Sequence, residues 1–265
     1  MSDAAERERL RCTFDEVAEA YDLARPAYPA ELFDDLVELA GLREGARVLE
    51  IGCGTGKATV PLAERGFEVV CVELGEQLAA VARRNLAAYP RVEVVGAPFE
   101  TWEPAEAGFD AVVAFTAFHW IDPGIRYEKS ARLLRDGGAL AVVTTGHVVP
   151  EDGDPFMLEA QDDYVAVGEP WLRPPRPDEI DGVAEEISAS ACFGAVATRR
   201  YPWEQRYSAE EYVAVLDTYS GHRTIEQERR LRLYDLIRAR IEARPERAVR
   251  KAYLFILDVA RRRAS

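Results

Sequence analysis

Glu50, Gly52, Gly54 and Gly56 stand two residues apart in Arg47-Val-Leu-Glu-Ile-Gly-Cys-Gly-Thr-Gly56, directly after an apolar run. Glycines in that alternation let a backbone turn sharply and approach a ligand where any Cβ would collide. Three ligand classes use a glycine turn after a strand, and spacing separates them. A phosphate-cradling P-loop needs two glycines five apart, then Lys and a hydroxyl residue; here Ile51 stands at the first glycine position and Ala58 at the hydroxyl. A dinucleotide fingerprint needs glycine at position 57, which is Lys57, and a carboxylate just before the turn would repel a pyrophosphate. Glu50 suits a cationic or neutral tail instead. Glu73, closing the next apolar run Phe67-Glu-Val-Val-Cys-Val-Glu73, is placed to accept hydrogen bonds from both hydroxyls of a ribose. The natural inference is a nucleoside ligand without phosphate.

Apolar runs and amphipathic stretches must hold these groups in place. Their alternation predicts strands at 46–51, 67–73, 91–95, 109–115 and 138–145, with helices at 57–65, 75–88 and 123–135. That order means an α/β fold with a doubly wound, mostly parallel sheet, whose ligands bind at the carboxyl ends of the strands. Beyond residue 145 the pattern predicts helices near 155–167, 178–189 and 224–243, a long strand at 193–207 and a buried strand at 253–260. Ser208-Ala-Glu-Glu211 reads as a capping box opening a further helix. Seven strands are expected in one catalytic domain over 1–265, its core about 46–145 with 178–207 and 245–263. A discontinuous helical cap is expected from 1–45, 147–177 and 208–244.

The turn, the second acid and the strand order resemble the class I S-adenosylmethionine-dependent methyltransferases, whose first motif reads E/D-x-G-x-G-x-G. Glu50, Gly52, Gly54, Gly56 and Glu73 match in type and order, and the likeness covers most of residues 1–145, including Phe109-Asp-Ala-Val-Val-Ala-Phe115 and Leu133-Leu-Arg-Asp-Gly-Gly-Ala. More narrowly, Tyr21-Asp, Arg25-Pro-Ala-Tyr28-Pro and Ala117-Phe-His119-Trp120 are similar to the branch of trans-aconitate methyltransferase-like small-molecule enzymes. The resemblance implies a Rossmann-like methyltransferase fold and S-adenosyl-L-methionine as cofactor. Those five residues, with Tyr21, Arg25, Phe99, Glu100 and Phe115, would hold it. Glu100 and Phe99 would meet adenine, or the loop 96–100 is purely structural; Arg25 would pair with the cofactor's carboxylate, or caps a helix before Pro26. Tyr28, His119, Trp120, Trp171, Tyr219 and His222 would face the acceptor, with Trp203 a further candidate. His119 is either a base for an acceptor that holds a proton, with an ordinary pKa of about 6.5, or a packing and orienting residue.

Composition narrows the partners. A net charge of −14 opposes a phosphate backbone, so nucleic acid is not expected as acceptor. Cys12, Cys53, Cys71 and Cys192 are scattered without metal-ligand spacing, so no metal site or disulfide framework is expected, and reduced thiols suit a cytoplasmic location. No apolar leader or membrane span is expected, and Arg261-Arg-Arg263 reads as a solvated tail. The expected activity is methyl transfer to a small organic molecule, oxygen favoured over nitrogen or carbon. The alternatives are a cofactor-binding protein without catalysis and, more remotely, an NAD-dependent oxidoreductase, which lacks a visible hydride-transfer constellation. The sequence is silent on oligomeric state.

Overall fold

The computed structural model describes residues 9–10 and 13–263; Cys12 and the first eight residues of the expected cap lie outside them. Seven strands form one sheet in the order β3-β2-β1-β4-β5-β7-β6. They are β1 (Arg47–Ile51), β2 (Glu68–Glu73), β3 (Val92–Gly96), β4 (Phe109–Phe115), β5 (Leu134–Val148), β6 (Phe193–Ser208) and β7 (Ala248–Arg262). The first five pair in parallel, while β7 runs antiparallel between β5 and β6. The chain reverses at β1, whose neighbours are β2 and β4, and a crevice opens there at the carboxyl ends.

Val48, Leu49, Ile51 and Ala111 to Ala114 are buried, as strands covered on both faces require. One core lies between the sheet and Leu32, Phe33 and Leu36 of a helix over Ala30–Ala40, and it continues under the cap helices. A second lies on the other face, around Phe109, Tyr127, Leu133 and Phe193. The helices Ala209–Asp217, Ser220–Arg223 and Gln227–Glu242 fill the interval between β6 and β7. The Ser208 capping box forms, with the Ser208 hydroxyl accepting from Glu211 N–H and the Glu211 carboxylate accepting from Ser208 N–H.

Several boundaries differ from expectation for physical reasons. The 57–65 helix begins at Thr59, because the glycine turn continues through Lys57. The 123–135 helix ends at Leu133, where the chain enters β5 directly. The 178–189 helix is reduced to Ala184–Ala189 after a single turn at Pro177–Glu179. Between them Gly182 passes so close to Asp258 that a Cβ would lie 2.0 Å from its Oδ2. Arg261 and Arg263 are exposed, as expected of a solvated run, but the run is not a free tail. Arg261 donates to Gly137 O and Leu39 O, Arg262 to Leu134 O and Arg263 to Phe193 O, so these guanidiniums tie the end of β7 to four carbonyls. Among the described residues no helix is long and apolar enough to cross a membrane.

Candidate functional site

The glycine turn forms the floor of a cavity of about 430 Å³ at the ends of β1, β2 and β4. Gly52 has φ +67°, and a Cβ there would meet the Cβ of Ala117 at 2.6 Å, so both conformation and space demand glycine. Glu73 fixes the turn from β2: its Oε2 accepts from Gly54 N–H at 2.8 Å and its Oε1 from Gly75 N–H at 2.9 Å. Each carboxylate oxygen keeps further acceptor capacity, and Glu73 lines the cavity. Burial pushes its pKa up, opposed by those two amides. Gly56 does not reach the cavity lining; with φ +91° it lies under Leu86, whose Cδ1 would be 3.1 Å from a Cβ.

Glu50 lies one layer deeper than expected, lining a smaller annex of about 50 Å³ beneath the main chamber, with Tyr28, Cys53 and Lys57. It accepts from the Thr59 hydroxyl at 2.7 Å. Burial pushes its pKa up to about 7, against the Thr59 hydrogen bond and with a small upward push from Glu73.

The walls are aromatic. Leu74, Ala97, Phe99 and Glu100 line the β2 and β3 side; Phe115, Thr116 and Ala117 come from the end of β4. Phe14 stands edge to face with Trp120 at 5.6 Å and with Tyr21 at 6.2 Å, closing the mouth. Thr116 has φ +57°, an outlying conformation for a β-branched residue. Its hydroxyl is held at 2.7 Å from that of Thr145 and 3.2 Å from that of Tyr28. Strain of that kind persists where the surroundings over-determine it.

Three histidines line the chamber, where the sequence pointed first to one. His119 lies at the mouth against Trp120, ring centroids 4.6 Å apart. Its residue is well exposed, yet crowding around the ring and, secondarily, the Arg126 guanidinium hold its pKa down at about 4. His222 bonds the Tyr164 hydroxyl through Nε2 at 2.8 Å, and burial lowers it to about 4. His147, two residues past Thr145 on β5, was missed because the strand runs beyond its expected end; the alternation from Thr145 to His147 was its only signal. Its Nδ1 is buried without a hydrogen-bond partner, and the Tyr219 hydroxyl beside it has only the Tyr253 hydroxyl near, outside good hydrogen-bond geometry. Arg25 donates to the Thr218 hydroxyl and carbonyl and lies over the Tyr219 ring at 4.2 Å, still lining the chamber.

The structure therefore gathers Tyr21, Arg25, Gly52, Gly54, Glu73, Phe99, Glu100, Phe115, His119, Trp120, Tyr219 and His222 around one chamber and puts Glu50 and Tyr28 in its annex. It does not bring Trp171 there. Trp171 is 52% exposed, in the stretch Pro170-Trp-Leu-Arg-Pro-Pro-Arg-Pro177. Trp203 lines a separate recess with Val148, Pro150 and Leu254.

Comparison with known proteins agrees with this geometry. Residues 48–138 match the family model described as a methyltransferase domain. An uncharacterized methyltransferase of Mycobacterium tuberculosis is 31% identical over 207 residues, spanning 74% of this chain and 79% of that protein. A solved structure of a proposed type II methyltransferase from Anaeromyxobacter dehalogenans superposes with TM-score 0.60 at 27% identity, covering 89% of this chain and 97% of that one. A phosphoethanolamine N-methyltransferase of Haemonchus contortus, solved with S-adenosylhomocysteine, shares the fold at TM-score 0.54 and 17% identity, covering 94% of this chain and 58% of that one. The chain is an enzyme belonging to the class I S-adenosylmethionine-dependent methyltransferases.

Proposed function

We propose that this enzyme methylates a small organic acceptor at oxygen, with the cofactor's ribose on Glu73 and its adenine between Leu74, Phe99 and Glu100. The observation that carries the cofactor placement is Glu73 clamped by the amides of Gly54 and Gly75 beside a turn where Gly52 leaves no room for a side chain. Arg25 is suited to the cofactor's carboxylate through a forked hydrogen bond. Glu50, in the annex behind the turn, is suited to its ammonium end. The bound cofactor supplies a methyl group on a sulfonium, an excellent leaving group for in-line displacement.

The chain's own residues then have three tasks. Phe14, Tyr21 and Trp120 exclude water at the mouth, and Thr116, Phe115 and Ala117 position the acceptor against the end of β4. His119 at the wall is the base this reading gives the acceptor's hydroxyl, and with a pKa of about 4 it is a weaker base than an ordinary imidazole. The likeness of the 21–28 and 117–120 segments to trans-aconitate-type enzymes supports a small acceptor, as does the enclosed aromatic chamber.

Calorimetric titration with S-adenosylhomocysteine, beside NAD as control, tests the cofactor assignment. Saturable one-site binding of the former alone is expected; absence of binding to folded protein would sink it. His119→Ala should lower turnover while leaving that affinity alone, and equal loss of both would make His119 a cofactor contact.

A further inference from the structure

Lys251 is a buried cation that the reaction described above does not use. It is 3% exposed, on the face of β7 that points into the cap. Its Nζ lies 5.5, 5.6 and 5.5 Å from the ring centroids of Tyr212, Tyr219 and Tyr253, with Met157 Sδ at 4.0 Å. No carboxylate pairs with it among the described residues. The nearby acids are engaged elsewhere: Asp217 with Arg223 and Arg230, Asp163 with Arg240, Asp154 with Arg244 and Glu211 with Ser208. Aromatic faces stabilise an ammonium only in part, and a buried charge without an opposite charge is costly. Burial, with Arg25 adding to it, brings the Lys251 pKa down to about 7.

In front of this cation stand two buried polar groups, the Tyr219 hydroxyl and His147 Nδ1, their rings 4.9 Å apart, and both residues line the chamber. Neither makes a hydrogen bond of good geometry, and the neighbour of the Tyr219 hydroxyl is the Tyr253 hydroxyl, which is itself bonded to that of Tyr207. Burial, followed by the field of Lys251, keeps His147 neutral, so its ring carries one N–H to donate. With the His147 proton on Nδ1, that N–H and the Tyr219 hydroxyl can both donate to one anionic group, and the buried Lys251 behind them favours a negative charge there.

We propose that His147 and Tyr219, backed by Lys251, form a subsite for a carboxylate on the methyl acceptor, separate from the oxygen that is methylated. This rests on the methyltransferase reading and adds the acceptor's class, a hydroxy acid; the aromatic walls suit an aromatic one. Lys251 acts as a positioning residue through the Tyr219 and Tyr253 rings.

The test uses full-length protein saturated with S-adenosylhomocysteine and titrated with 3- and 4-hydroxybenzoate and with the matching hydroxybenzamides. The acids should bind at least roughly tenfold more tightly than the amides. Tyr219→Phe and Lys251→Met should each erase that preference while leaving S-adenosylhomocysteine affinity within about twofold. Lys251→Met should also raise the Tm of the free protein by roughly 2–4 °C, because an unpaired buried charge is replaced by an apolar chain of similar shape. Equal binding of acids and amides, or binding of neither acid, overturns the proposal. A lower Tm for Lys251→Met makes the lysine structural. Parallel loss of S-adenosylhomocysteine affinity assigns the charge to the cofactor's carboxylate. Failure of wild-type protein to bind S-adenosylhomocysteine would instead remove the underlying methyltransferase reading.

Discussion

Glu73 holds the glycine turn with its two oxygens and lines the chamber, so it shapes the site before any ligand arrives. Glu73→Ala should weaken S-adenosylhomocysteine binding by about 1.5–3 kcal/mol, the worth of hydrogen bonds to a charged group; calorimetry that finds unchanged affinity in folded protein would remove the ribose assignment. Glu50 sets a pH dependence. Its folded pKa of about 7 exceeds the ordinary glutamate value of 4.5, so between those values the unfolded chain binds fewer protons and stability falls as pH rises. Glu50→Gln should flatten that slope in thermal melts from pH 4.5 to 7.5. Binding of a cationic group beside Glu50 should release a proton near pH 7, visible as buffer-dependent titration heats. These two acids were legible because each closes an apolar run at a set distance from glycines. His147 and Lys251 were not, because a lone basic residue in a strand signals nothing until its neighbours are known.

The glycine turn joins β1 to the helix Thr59–Glu64, and its geometry belongs to the whole element. Gly52→Ala should destabilise the protein by more than about 1 kcal/mol, since φ +67° and the 2.6 Å approach of Ala117 both resist a Cβ, and should abolish cofactor binding. A melt and a titration of the same sample check both. Ser208→Ala should cost about 1 kcal/mol in a denaturant melt through loss of the helix cap, without changing cofactor affinity. Strand identities were readable from apolar runs, and β4 matches residue for residue. Strand ends were not: β5 and β7 run long because they pair with each other over Ala139 to Val148, a tertiary fact. The 155–167 helix breaks into Phe156–Glu159 and Gln161–Ala166, and the 224–243 helix starts at Gln227 where the Glu226 side chain caps it, details that periodicity does not resolve.

Over the whole molecule, the N-terminal segment covers the crevice with little apolar burial, held mainly by polar contacts such as Glu19 with Arg84, Asp22 with Asn85 and Glu16 with Arg223. Phe14, Ala18 and Tyr21 pack on Leu78 and Val81 in a small cluster, and Asp15 accepts from the amides of Gln77 and Leu78. Such segments open more readily than a sheet core. S-adenosylhomocysteine at 100 times its Kd should stabilise the closed form by about 2.7 kcal/mol. Limited proteolysis within residues 13–25 should slow accordingly, with cleavage elsewhere little affected; equal slowing everywhere would mean that the segment does not open by itself.

The position of β7 also bears on how the chain is made. It lies between β5 and β6, yet its residues leave the ribosome more than 35 residues after the end of β6. Throughout that interval β5 and β6 each offer an unpaired strand edge, the kind that recruits other nascent chains. The three helices between β6 and β7 are synthesised during this wait and can shelter the apolar face first, so they would serve during synthesis as a guard for the unfinished sheet.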